Sequence, residues 1–227
     1  QRRDQMRYKV IIKTLSDTII GSPEAFGPII DNDIVFDDNG FPYIPAKRIK
    51  GLFRNAAEDL LSIEGFKNLI SLPEGISIID KLFGEMGSTE AVPNIIFDNL
   101  YIFDREELNQ WCDYLKDKYP SFFNYNAVLD YFTDVRHQTA IDPETRIAKE
   151  HSLRTIRVLS GQNEFSGYIT VNYKNENGEK LLSFISLYLD RMGSKRNRGF
   201  GKIEVEILDE SGNSLTNKLR EKLEKNL

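Results

Sequence analysis

The sequence predicts an α+β domain in which helices cover one face of an antiparallel sheet. Three observations predict it. Apolar and polar residues alternate, the period of a half-buried strand, at residues 8–15, 165–173 and 202–208. Apolar residues recur at helical spacing over 46–62 and across a wide face over 179–192. The order along the chain is then β, α, β, insertion, β, α, β.

Each element has its own signal. Residues 1–5 precede Met6 and read as a tail or the end of an upstream segment. In the first strand Tyr8, Val10, Ile12 and Thr14 share one face, and Lys9, Ile11, Lys13 and Leu15 the other. Turn chemistry follows at Gly21–Ser22–Pro23, Gly27–Pro28 and Asp38–Asn39–Gly40. Pro45 suits a first helical turn. Beyond it Ile49, Leu52, Phe53, Ala56 and Leu60 form an apolar stripe, and Lys47, Lys50 and Arg54 a separate basic stripe. Residues 94–103 read as a strand, 105–118 as an irregular helix, and 120–158 as a charged insertion without a clean period. Asn175–Gly178 is a turn signal, and Leu215, Leu219 and Leu223 space a final helix. Two βαβ-like halves on one sheet make a ferredoxin-like (RRM-like) palm, here with an inserted thumb at about 120–158, in a single domain over 6–227.

Composition narrows the function. No apolar run approaches the ~18 residues that cross a bilayer, and no secretory signal is evident. One cysteine, Cys112, excludes a disulfide framework, and two histidines leave little for a histidine-based metal centre. A reducing cytoplasm is the expected setting. The formal net charge is −5, but it is segregated. Residues 46–54 carry Lys47, Arg48, Lys50 and Arg54 and no acid, and residues 191–202 carry Arg191, Lys195, Arg196, Arg198 and Lys202 and no acid. Residues 31–38 carry Asp31, Asp33, Asp37 and Asp38 and no base. Basic patches beside an acidic strip suit a polyanion with chemistry, or a metal, at its edge.

Gly193–Gly201, reading GSKRNRGFG, could bring backbone N–H groups and three basic side chains to phosphate oxygens. It lacks the Lys-Ser/Thr of a phosphate-binding P-loop, and a strand rather than a helix follows it. Arg198–Gly199–Phe200–Gly201 resembles the start of an RRM signature whose later aromatics are missing. The basic first turn at 46–54 adds a helix dipole that favours phosphate. Asp31 and Asp33 share a face on an extended segment, while Asp37–Asp38–Asn39–Gly40 is most simply a turn. His137 and His151 read as surface residues of the insertion, and Cys112 as buried and inert.

These segments resemble, in register, the RAMP superfamily of CRISPR-associated proteins, nearest to the backbone subunit of type III (Csm/Cmr-like) effector complexes. Gly40–Phe41–Pro42–Tyr43–Ile44–Pro45 followed by Ile49–Lys50–Gly51–Leu52–Phe53–Arg54 is similar to the family's G-x-P-Y-I-P…L-K-G-x-x-R segment. Leu82–Phe83–Gly84 is similar to its L-F-G. Thr139–Ala140–Ile141–Asp142, Arg157–Val158 and Gly161–Phe165 resemble its thumb, and Met192–Gly201 its glycine-rich loop. Ala46–Lys47–Arg48 stands where the family usually has Gly-Ser-Ser, closer to the type III-D branch.

The resemblance implies a subunit that binds CRISPR RNA, pairs it with target RNA, and assembles with other subunits and further copies or paralogues of itself. Lys47, Arg48, Lys50, Arg54, Arg136, Gly193, Ser194, Lys195, Arg196, Arg198 and Gly199 would bind RNA. Asp31, with Asp33 as the alternative, would aid target cleavage by a 2′-hydroxyl and hold a divalent ion, Mg2+, needed only for cutting. Three rivals stay open: a silent RAMP subunit, a guide-processing endoribonuclease using a histidine, and a ferredoxin-like protein-interaction module.

Overall fold

The computed structural model describes residues 5–21, 34–66, 78–84, 94–102, 105–172, 176–194 and 196–225. The central strand β1 (Met6–Thr14) is flanked by β7 (Glu164–Val171) and β8 (Ile203–Leu208), both antiparallel to it. Beyond β7 lie β3 (Ile95–Phe97), β4 (Leu100–Ile102) and, paired to β4, β2 (Tyr43–Ile44). The sheet order β2-β4-β7-β1-β8 is the ferredoxin-like order with one short strand added at the edge. Alternation fixes which face is covered. Tyr8, Val10, Ile12 and Thr14 are buried, and opposite them are Ile169, Phe165, Ile207 and Val205.

The helices α1 (Ala46–Ser62) and α5 (Glu176–Tyr188) fill that face. α1 contributes Ile49, Phe53, Ala56, Ala57, Leu60 and Leu61, and α5 contributes Leu181, Leu182 and Ile185. The short α2 (Ile78–Phe83) closes the end of α1, with Phe83 and Phe53 both against Phe97. α6 (Leu215–Glu224) follows β8, and its buried Thr216 hydroxyl meets Ser186 and accepts from the Ile207 N–H.

Residues 94–103 do not form one strand. The strand is interrupted at Asp98–Asn99, where Asp98 still bonds β7 but Asn99 serves another partner. The Asp98 N–H donates to the Tyr168 carbonyl, and the Asn99 Oδ1 accepts from the Ala46 N–H at 2.8 Å. Pro45, at the N-cap of α1, has no side chain able to cap it; Asn99 supplies that cap from the sheet. Gly167 makes the break possible. A Cβ there would sit 2.6 Å from the Asn99 carbonyl oxygen and 2.5 Å from Leu100.

The insertion is smaller than 120–158. α3 (Arg105–Lys118) and α4 (Tyr125–Phe132) belong to the palm, with Cys112, Val128, Leu129 and Phe132 buried and Phe132 against Phe41. Only the hairpin of β5 (Thr133–Gln138) and β6 (Arg154–Leu159) forms its own two-stranded sheet. Its base carries a small core of Ile19, Ile156, Val158 and Phe200. Its tip is uncovered, with Ile141, Ile147 and Leu153 exposed. The Asp142 carboxylate accepts from the N–H groups of Thr145 and Glu144, which holds its pKa below the usual range and ties the tip turn. His137 and His151 both lie on this exposed hairpin.

Two other boundaries differ from the sequence reading. The signal at Asn175–Gly178 falls where α5 begins at Glu176. α5 also ends at Tyr188 rather than 192, because the backbone of 190–192 pairs with 201–203 instead.

Gly167→Ala should lower stability by about 1–3 kcal/mol through overpacking, read from chemical denaturation. Limited proteolysis of the folded protein should cut first within 139–153, ahead of any site in the palm; first cuts in α4 would contradict the boundary at Thr133.

Candidate nucleic-acid interface

The two basic segments, about 150 residues apart in sequence, face each other across one groove. One wall is the outer face of α1. The other is the loop between α5 and β8. A cavity of about 990 Å³ is lined by Tyr43, Lys47, Arg48, Gly51, Leu52 and Asn55 on the first side and by Met192, Gly193, Ser194 and Arg196 on the second. It runs into a further 810 Å³ toward Tyr188, Arg191 and Arg198, sharing Leu52, Asn55, Gly193, Ser194 and Arg196. Lys47, Arg48, Arg196 and Arg198 are exposed. The first turn of α1 contains no acid, so its dipole and its two cations add in the same direction.

The loop is held at its neck by the protein's own backbone. Met192 N–H donates to Gly201 O, Ser194 N–H to Ile19 O at 3.1 Å, and Gly201 N–H to Asp17 O at 2.8 Å. In the 193–201 loop the N–H groups of Ser194 and Gly201 are thus committed to the protein's own backbone. Gly193 and Gly201 are required by internal crowding. Both have positive φ, and a Cβ would meet Ile19 O at 2.4 Å and Met192 O at 1.9 Å. Gly199, also at positive φ, has open space around it. The cations on the groove's two walls include the side chains of Lys47, Arg48, Arg196 and Arg198. Arg196 is positioned by Arg191, whose Nη1 donates to the Arg196 carbonyl at 2.8 Å.

Other expected RNA-binding residues are placed differently. Arg54 points away from the groove, with its side chain only 14% exposed. Its guanidinium donates to Asp80 at 2.7 Å, to Glu58 at 3.0 Å and to the Gly84 carbonyl at 2.6 Å. Burial disfavours its charge, but Asp80 and Glu58 outweigh that and raise its pKa. Arg54 is a structural tie between α1 and the Leu82–Phe83–Gly84 turn. Lys50 is half-buried on the flank of α1, outside the groove lining. Arg136, on β5, pairs with Asp17 and lies 5.6 Å over the Phe200 ring, at the thumb base. Lys195, Asp31 and Asp33 lie outside the described residues. Asp37 forms the expected turn, accepting from the Asn39 and Phe41 N–H groups.

The chain leaves the described fold at Gly21 and rejoins it at Ile34, and these two residues bridge one another beside the groove. Arg48 braces this junction by donating to the Gly21 carbonyl at 3.0 Å. Among the described residues no group of three or more His, Cys, Asp or Glu could hold a metal ion, and no helix is long and apolar enough to cross a membrane.

Gly51 has a signal that the sequence alone did not weigh. It sits mid-helix on the groove face, where a Cβ would meet nothing within 4 Å. A helical glycine costs about 0.5–1 kcal/mol relative to alanine, and no packing demand explains it. Gly51→Ala should therefore raise the unfolding midpoint, whereas Gly51→Leu should keep the fold and obstruct the groove. Arg54→Ala should show the opposite division from Lys47→Ala. Loss of its charged hydrogen bonds should cost about 1–3 kcal/mol of stability, while Lys47→Ala spares stability and lowers affinity for a polyanion.

Comparison with known proteins agrees with this architecture. Among curated proteins none matches the chain. A Type III-B Cmr-beta structure described as bound to cognate target RNA superposes with a TM-score of 0.62 at 14% identity, covering 88% of this chain and 96% of that one. The apo state of Type III-B Cmr-beta gives a TM-score of 0.60 at 13% identity over the same shares. At that identity the likeness establishes the fold. A family profile, described as the RAMP superfamily, matches residues 11–204, which begin within β1, take in the groove and the thumb, and end at the start of β8; the chain belongs to the RAMP superfamily.

Proposed function

We propose that this protein is an RNA-binding subunit of a type III CRISPR effector complex, holding the guide RNA by its phosphates in the groove between α1 and the 191–202 loop. The observation that carries this is the convergence of Lys47, Arg48, Arg196 and Arg198 on one groove in a chain whose net charge is −5. Segregated cations in an acidic protein concentrate a polyanion where they face each other. Side-chain cations on a helix and a loop grip a backbone without reading base edges, which leaves bases free to pair with a target. The thumb, exposed at its tip and packed at its base against Ile19 and against Phe200 of the loop, suits insertion beside a duplex.

Cleavage of the paired target belongs to the same proposal. The segment that carries Asp31 and Asp33 is joined to the fold at Gly21 and Ile34, on the groove's edge. The target's 2′-oxygen would attack its own phosphorus in line as the bond from phosphorus to the 5′-oxygen breaks. The Asp31 carboxylate would take the 2′-hydroxyl proton and the leaving 5′-oxygen would gain one from solvent, giving a cyclic phosphate and a 5′-hydroxyl. A divalent ion held at Asp31 would supply charge neutralisation at the phosphate.

The test is a salt series of RNA binding. Lys47→Ala with Arg196→Ala and Arg198→Ala should weaken binding equally for unrelated sequences and reduce the salt slope by about 1 per lost phosphate contact. Binding by the triple variant that is as tight and as salt-dependent as wild type would sink this groove as the binding site, and a wild type that binds no RNA would leave the protein-interaction module. In an assembled complex Asp31→Ala should leave target binding intact and lower cleavage by about 100-fold or more. His137→Ala and His151→Ala should cut normally, and the reverse pattern would favour a histidine-dependent processing enzyme.

A further inference from the structure

The groove is not uniform along its length. Its middle is lined by cations without an acid, and its far end mixes cations with carboxylates and an aromatic ring. There Tyr188, the last residue of α5, stands beside Asp59 of α1 and Asp190. Arg191 lies 3.9 Å from Asp190, so the carboxylate that disfavours a phosphate next to the ring is Asp59. This end belongs to an 810 Å³ cavity that Leu52 and Ala56 also line, and it meets the cationic stretch at Asn55 and Arg196. A site of that size, with an apolar floor and an aromatic wall, suits a planar ring.

The tyrosine is held for such a role. Tyr188 is 45% exposed, although it is large and aromatic and ends a helix whose other apolar residues are mostly buried. Its hydroxyl donates to Asp59 Oδ2 at 3.2 Å, which links the two walls and limits the ring's swing. Burial and the charge of Asp59 raise the phenol's pKa, so the donor stays protonated at neutral pH. The small side chain of Ala56, one turn from Leu52, leaves the ring's approach from α1 open.

We propose that this end of the groove is a stacking subsite for one unpaired nucleobase of the bound RNA. The base lies against the Tyr188 ring, and its sugar and phosphates lie back toward Arg196 and Arg198. Stacking is tolerant of sequence because every base has a π face, so the subsite fixes the register of the RNA without choosing its letters. This rests on the RNA-binding reading above and adds to it a positional element that electrostatics alone lacks.

The experiment uses the full chain and a short single-stranded RNA of mixed sequence. A 2-aminopurine is moved along the RNA, and one position should lose fluorescence on binding as it stacks. Removing the base at that position, leaving an abasic sugar, should weaken binding about 5- to 150-fold, the loss that one base–aromatic stack typically gives. Tyr188→Ala should lose the same factor with an unchanged salt slope, and Tyr188→Phe should bind as wild type. The two losses should not add, because both remove one contact. Additive losses, an abasic RNA that binds as the intact one does, or a Tyr188→Ala variant with wild-type affinity would each overturn the subsite. If those outcomes occur while the Lys47, Arg196 and Arg198 variant still loses binding, only the subsite fails. If wild type binds no RNA, both readings fail together. Melting curves of both Tyr188 variants establish that each is folded.

Discussion

One crossing segment, Leu15–Gly21, holds the working parts of this molecule in relation to one another. It leaves β1 and bonds in turn to each of them. Leu15 N–H donates to Lys202 O, and Thr18 exchanges two hydrogen bonds with Leu159, the last residue of β6. Gly201 N–H reaches Asp17 O, and Ser194 N–H reaches Ile19 O. The Asp17 side chain meets both Arg136 of the thumb and the Gly161 N–H. Ile19 is fully buried between the thumb base and the loop. The thumb and the 191–202 loop are thus hung from the same few residues. Their separation is set by backbone hydrogen bonds, which fix distances more tightly than packing does.

The electrostatic design follows from where charges are spent on structure and where they are left for a ligand. Arg54 and Arg136 are satisfied by carboxylates. Lys47 and Arg48 stand instead in the first turn of α1, where a helix favours acids. Each cation there costs about 0.3–1 kcal/mol. A phosphate held as proposed would reverse the sign of that term, because it would meet the dipole and both cations at once. The free protein is electrostatically strained at this helix end, and such a ligand would relieve it.

Much of the fold was legible because its determinants are local. Pro45 and the spacing of Ile49, Phe53, Ala56 and Leu60 delimit α1 at both ends, and alternation marks β1, β7 and β8. The convergence of the two basic segments was legible as charge, though not as a groove. What was not legible depends on distant partners. Arg54 reads as part of a basic stripe until Asp80 and Gly84 are seen beside it. Gly193 and Gly201 read as ligand-facing until Ile19 and Met192 are seen against them. The 120–132 stretch has no clean period and runs into a charged hairpin, so it reads as part of the insertion, yet α4 turns Val128, Leu129 and Phe132 inward. Tyr188 and Asp59 lie 129 residues apart, and neither has a local pattern to mark it.

Gly51 carries a consequence for how this chain would respond to protein engineering. Searches for stabilising substitutions favour alanine or a long helix former at an exposed helical glycine with empty space around it. By that criterion Gly51 is among the first positions to change, and the first turn of α1 among the first to receive acids. Both changes would make a hardier protein with a blocked or repelling groove. A screen on thermal endurance alone would therefore drift away from ligand binding at these positions, and the mutations it gathered there would mark the outline of the site.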